Sequence, residues 1–159
     1  MVTATAAPGT RRTVEELIAG LDKDEREVAR HVLLGAFNRR SEPVGFHHAP
    51  GGVAPPGRRI DEVLERYPDG TYRARVSFYD PKRGWVRKQA ETTMFPDTWT
   101  SEEVLAAGRE AFRRRVDKWH GQWRGHARGL RIDGYGIRSR RGPTTFYPGR
   151  GGREGRRER

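Results

Sequence analysis

The chain contains no cysteine, and of its 32 basic residues only four are lysine. Without cysteine it can form neither a disulfide nor a thiolate metal site. Two further metal signatures are missing, since no HxxxH or HExxH spacing occurs. Paired histidines with no cysteine and no second acidic cluster beside them make a poor zinc site, so neither a metal nor a cofactor is expected. No stretch is apolar enough, for long enough, to cross a membrane, and no membrane partner is expected. Residues 1–12, MVTATAAPGTRR, lack the apolar run of a signal peptide. That leaves localisation open between the cytoplasm and delivery from the cell.

Apolar residues are also scarce. One third of the 159 residues are hydrophobic and one third charged, which suits a single domain with a small core and much loop. The net charge is +11 and the isoelectric point about 10.9. Such a surface calls for a polyanionic partner: RNA, DNA or an acidic protein inhibitor. The preference for arginine over lysine is read first as codon usage in a GC-rich genome, though arginine also suits phosphate.

The pattern of elements is mixed. Thr13/Glu16 and Asp22/Glu25 have the spacing of capping boxes, and apolar residues follow each at helical intervals. Two helices, or one bent helix, are expected before Gly35, with His31 in the last turn. Residues 36–59 read as a long loop rich in Gly and Pro, a length more often functional than idle. Tyr72, Ala74, Val76 and Phe78 alternate along a strand, and the DPKRG turn and a second extended run make residues 71–95 a hairpin. A third box, Thr100/Glu103, opens the best helix, with apolar positions expected through Val116. Strand-like pieces follow near Gln122, at GLRIDGYGI and at TTFYP. Residues 1–12 read as a flexible lead, 13–148 as the folded domain and 149–159 as a disordered basic tail. Helices first and strands later imply an α+β fold with antiparallel sheets.

Five histidines are present, and two stand together in VGFHHAP. Taken singly, each is more often structural or idle than catalytic. In combination they say more, because His31 ends a helix while His47 and His48 lie in a loop able to fold back over it. Two imidazoles in one pocket supply a base and an acid near neutral pH. Lys88 sits on the apolar side of its strand; a lysine there is usually an edge-strand charge, but it can also stabilise charge on one oxygen. Thr145 and Tyr147 share a face of the last strand and suit a base edge and a nucleotide ring. On their own they fit an ordinary edge strand. Together these groups would let an RNA 2′-hydroxyl attack its own phosphate, with no nucleophile required from the protein.

HVLLGAFNRRSEPVGFHHAPGG, KQAETTMFPDTWTSEEV and GYGIRSRRGPTTFYP, in this order, resemble the bacterial EndoU nuclease family over residues 28–148. The resemblance implies N-terminal helices packed on twisted antiparallel sheets. It also implies metal-independent endonucleolytic cleavage of RNA, commonly at uridine, leaving a 2′,3′-cyclic phosphate. His31 and His47 match the catalytic pair, with His47 as base and His31 as acid. Lys88 matches the catalytic lysine, with Arg87 next to it a competitor. Thr145 and Tyr147 match the nucleotide-orienting pair, and Thr92 or Thr93 the position tied to base choice. His48 is then a neighbour that could contact phosphate, although the doublet leaves open which histidine is the catalytic one. Many bacterial members are toxin domains held by an immunity protein. The expected partners are therefore RNA, with tRNA one candidate, and an acidic immunity protein, the enzyme itself acting as a monomer. The competing reading is a non-catalytic basic RNA- or DNA-binding module. It accounts for the charge but leaves the placement of the histidines and Lys88 to coincidence.

Overall fold

A computed structural model of the chain describes residues 13–136, 138–140 and 142–149. The lead and nearly all of the basic tail read from the sequence lie outside those residues. Three α-helices and three antiparallel sheets are formed by the described residues, and the fold is α+β as the order of elements implied.

Helix α1 spans Val14–Ala19 and α2 spans Lys23–Leu33. The Thr13 hydroxyl accepts Glu16 N–H at 3.1 Å, and the Glu16 carboxylate accepts Thr13 N–H at 3.1 Å, so this capping box closes both ways. Asp22 accepts Glu25 N–H at 3.0 Å, while Glu25 Oε2 turns to Arg109 of the third helix at 3.1 Å. That helix, α3, spans Ser101–Arg113, and the Thr100/Glu103 box opens it.

After α2 the chain forms a small two-stranded sheet, β1 (Ala36–Phe37) with β2 (Pro43–Val44). The second sheet holds β3 (Arg58–Arg66), β4 (Tyr72–Asp80), β5 (Gly84–Arg87) and β6 (Thr92–Met94). The expected 71–95 hairpin is broken in its second arm: β5 pairs with Ser77–Asp80 and β6 with Tyr72–Ala74 of the same strand. Residues 89–91 leave the ladder between them, and Lys88, whose N–H still donates to Val76 C=O at 2.9 Å, stands at the edge of that break. Strand β3 carried no clear period in the sequence because register shifts at Ile60/Glu62 and Val63/Glu65 interrupt its alternation. Ile60, Val63 and Leu64 therefore fall at intervals that imitate a helix face.

The third sheet runs β10-β9-β8-β7, with β7 Val116–Trp119, β8 Gln122–Ala127, β9 Leu130–Tyr135 and β10 Thr145–Pro148. Here one expectation fails. Val116 belongs to β7, not to α3, and is exposed. The cause is the next turn, where His120 and Gly121 take φ of +51° and +80°. Two positive φ values are the signature of a tight type I′ hairpin, which draws residues 116–119 into a strand against β8.

Two cores result. One packs the helices onto the third sheet through Ile18, Val32, Leu33, Val104, Trp123 and Phe146. The other lies on the second sheet, around Phe46, Tyr72, Val76, Phe78 and Met94. Met94 belongs to the second core and Phe95 to the first, so β6 and the His47 loop run where the two meet. None of the described helices is long and apolar enough to cross a membrane.

Candidate active site

The sixteen-residue interval between His31 and His47 is closed by backbone chemistry. The last carbonyls of a helix have no partner within it. In α2, His31 C=O accepts Phe46 N–H at 3.0 Å and Val32 C=O accepts His47 N–H at 2.6 Å. The loop is thus stapled to the helix end through the carbonyl of His31 and the amide of His47. Gly45 (φ +81°) and Phe46 (φ +69°) make the reversal in left-handed backbone. Gly45 is required twice over, because a Cβ there would stand 2.3 Å from His31 O and 2.9 Å from Gly35 Cα. Phe46 tolerates its positive φ because the ring is fully buried in the second core, edge-on to Phe78 at 6.1 Å between centroids. The two imidazoles end 6.5 Å apart, centroid to centroid.

His47 is fully buried, and its Nδ1 lies 2.8 Å from the carbonyl oxygen of Thr93. A carbonyl only accepts, so Nδ1 carries the proton and the lone pair of the neutral ring sits on Nε2. The fixed tautomer supplies a base of defined direction. Tyr147 packs on the other side, its ring 5.5 Å from that of His47 at an interplanar angle of 33°. Strand β10 therefore reaches the histidines, and Thr145, two residues back along it, is buried on the same face.

The doublet divides. His48 is 1% exposed, and its Nε2 donates to Trp99 C=O at 2.9 Å. Burial is the main cause that pushes this imidazole down to about 4, so near neutral pH it is uncharged. The expected phosphate contact from His48 does not fit that placement: a neutral, buried ring held by a backbone carbonyl ties the loop to the start of α3. His47 and His48 sit on successive residues and face different partners.

Lys88 is not a solvated edge charge. It is 2% exposed, and Nζ donates to Gly45 C=O at 3.1 Å, which holds the ammonium against the turn two residues before His47. Arg87, the competitor, is exposed and lies 3.6 Å from Asp61 on the opposite face of the sheet. Lys88 also lines a cleft of about 400 Å³ with Asn38, Pro43, Val44 and Gln89, a cleft that neither His31 nor His47 lines. It thus stands between that opening and the histidine loop.

Thr92 and Thr93 alternate across β6, opposite Ala74 and Arg73. Both are buried, and their hydroxyls, like that of Thr145, make no hydrogen bond within the described chain. Buried hydroxyls are usually satisfied, so these three are hydrogen-bonding capacity that the described chain does not use. The sequence offers each of these residues as a candidate but does not show how they are joined. The staple to the α2 carbonyls and the Thr93 carbonyl that orients His47 are backbone groups, which no side-chain motif encodes. The one available hint was Gly45 directly before the doublet.

A buried imidazole of fixed tautomer, a second imidazole at a helix end and an ammonium beside their loop form an acid–base site suited to phosphate chemistry. The family model for the bacterial EndoU nucleases matches residues 25–150, and the chain belongs to that family. It is accordingly a nuclease with the EndoU-like α+β fold. No curated protein and no solved structure matches the chain.

Proposed function

We propose that the protein is an endoribonuclease that cleaves RNA by transesterification through the 2′-hydroxyl, without a metal. The observation that carries this is the His47 ring, fixed with its lone pair on Nε2 and faced by His31 at 6.5 Å. His47 Nε2 takes the proton of the ribose 2′-hydroxyl. The 2′-oxygen attacks the adjacent phosphorus, the bond from phosphorus to the 5′-oxygen breaks, and His31 gives that oxygen a proton. The products are a 2′,3′-cyclic phosphate and a 5′-hydroxyl. His31 suits the acid role, because the last turn of a helix favours a cation. Lys88 places a compact positive charge for the phosphorane oxygens.

Tyr147 provides a ring for the nucleotide, and the hydroxyls of Thr145 and of either Thr92 or Thr93, which lie on opposite faces of β6, can read a base edge; uridine offers both donor and acceptor to such groups. The net charge of +11 favours RNA as partner, and it favours an acidic protein as inhibitor over this cleft, as expected of a toxin domain with its immunity partner. The test is the chemistry of the ends. Incubation with RNA in EDTA gives fragments ending in 2′,3′-cyclic phosphate and 5′-hydroxyl. Fragments carrying 5′-phosphate and 3′-hydroxyl, or cleavage only after metal is added, overturn the reading.

A further inference from the structure

The face of the third sheet turned away from α3 holds a cluster that the reaction above does not use. Asp133 on β9 is 1% exposed and pairs in register with Tyr147. Three cations converge on its carboxylate: Lys118 Nζ at 3.0 Å, Arg131 Nη2 at 3.2 Å and Arg124 Nε at 3.4 Å. The Arg124 contact is an ion pair outside hydrogen-bonding geometry. One well-placed cation is enough to neutralise a buried carboxylate; three leave two positive charges over. Asp133 is sealed, while Lys118, Arg131 and Arg124 remain 15%, 27% and 36% exposed. The carboxylate thus acts as an anchor that draws three long side chains together before any ligand arrives, which lowers the entropy lost on binding.

Strand β7, which carries Lys118, continues into an aromatic tip. A register shift between Asp117 and Trp119 lets Lys118 reach Asp133 while Trp119 stands opposite Gln122. Trp119 is 69% exposed, and its ring lies 4.1 Å from that of His120. Lys118, Trp119, His120, Arg138 and Ser139 line a cleft of about 540 Å³, which is nucleotide-sized. Cations beside an exposed indole are the two components that bind single-stranded nucleic acid, the first taking phosphate and the second stacking a base. Sheet order sets the path: Tyr147 on β10, Asp133 on β9 and Trp119 on β7. Across the sheet three strand spacings, about 14 Å, separate the ends, and Trp119 falls in register with Thr145, two residues along β10 from Tyr147.

We propose that Lys118, Arg124 and Arg131 around Asp133, with Trp119 and His120, form a subsite for an RNA nucleotide flanking the cleaved one, its phosphate on the cations and its base on the indole. The proposal rests on the ribonuclease reading for the direction of the strand towards Tyr147, but its test does not require turnover. A fluorescent 2′-O-methyl RNA hexamer, which lacks the nucleophile, is titrated by anisotropy against the whole chain over a range of salt. Trp119→Ala, at an exposed position, weakens binding roughly tenfold. Arg124→Gln lowers the slope of log affinity against log salt by about 0.7, one single-strand phosphate contact. Arg109→Gln, on α3 and paired with Glu25, serves as the charge control. The subsite is refuted if Trp119→Ala binds as wild type, or if Arg124→Gln changes no more than Arg109→Gln. Cleavage of unmodified RNA by the wild type is scored separately. Lost binding in the variants with no wild-type cleavage keeps the subsite and removes the ribonuclease reading; wild-type cleavage with unchanged binding in the variants does the reverse.

Discussion

Gly45→Ala separates the role of the loop staple from ordinary backbone strain. Alanine at φ +81° costs about 1–2 kcal/mol for left-handed backbone. Its Cβ would also lie 2.3 Å from His31 O, so the loop must move off the helix end. That movement weakens the bonds from Phe46 N–H and His47 N–H to the α2 carbonyls, each worth about 1 kcal/mol. The sum is about 3–4 kcal/mol. Gly51→Ala is the matched control: its φ is +66°, yet nothing lies within 4 Å of the added carbon, so only the strain of about 1–2 kcal/mol applies. Urea unfolding of the two variants reads the difference in stability. RNA cleavage reads the consequence for the site, since displacing His47 by about 1 Å from His31 is expected to cost roughly a hundredfold in rate. Equal destabilisation of the two variants, with Gly45→Ala cleaving at the wild-type rate, would refute the claim that the close approach of Gly45 sets the histidine geometry.

Other expectations follow from single residues. His48 is held near 4 against an ordinary 6.5, so its folded value is depressed. The stability this contributes is full above about pH 6.5 and is lost as pH falls through about 4, by at most about 3 kcal/mol. Urea melts at pH 7.5 and pH 4 should show that loss, and His48→Asn should lack this part of it. Lys88→Arg should cut the maximal rate about a hundredfold, as removal of a charge-stabilising donor does, because a planar guanidinium does not fit where a compact ammonium meets Gly45 C=O. Rate retained by Lys88→Arg, measured with folding checked by circular dichroism, would return Lys88 to a packing role. His31→Ala should cost about 10²–10⁴ in rate while RNA affinity holds, as befits a proton donor; a fall in affinity alone, measured by anisotropy, would make it a binding residue.

The sequence carries the helices well, because caps and apolar periodicity are local. Thr13/Glu16 and Thr100/Glu103 announce their helices through caps that the structure closes in both directions. The VGFHHAP doublet marks the loop by its composition alone. What stayed hidden depends on distant partners. Nothing near His47 says that Thr93 C=O will take its Nδ1 proton, and nothing near His48 says that Trp99 will bury it. Strand β3 hides because register shifts spoil its alternation. Strand β7 hides behind the run of arginines that ends α3, and the positive φ values of His120 and Gly121, the first unpromising in sequence, reveal its hairpin. The Asp133 cluster draws Lys118, Arg124 and Arg131 from three strand positions, and sheet register alone brings them together.

The central claim, a transesterification driven by His47 with the RNA supplying its own nucleophile, is tested most directly by one substitution in the substrate. An RNA oligonucleotide with a single uridine and its 2′-deoxyuridine twin are incubated in EDTA with wild type and with His47→Ala, and mass spectrometry reads the ends. The account predicts a 2′,3′-cyclic phosphate at the uridine from the ribose substrate alone, reduced about 10²–10⁴-fold in the variant. Cleavage of the deoxy twin at a comparable rate, or undiminished cleavage by His47→Ala, would contradict it.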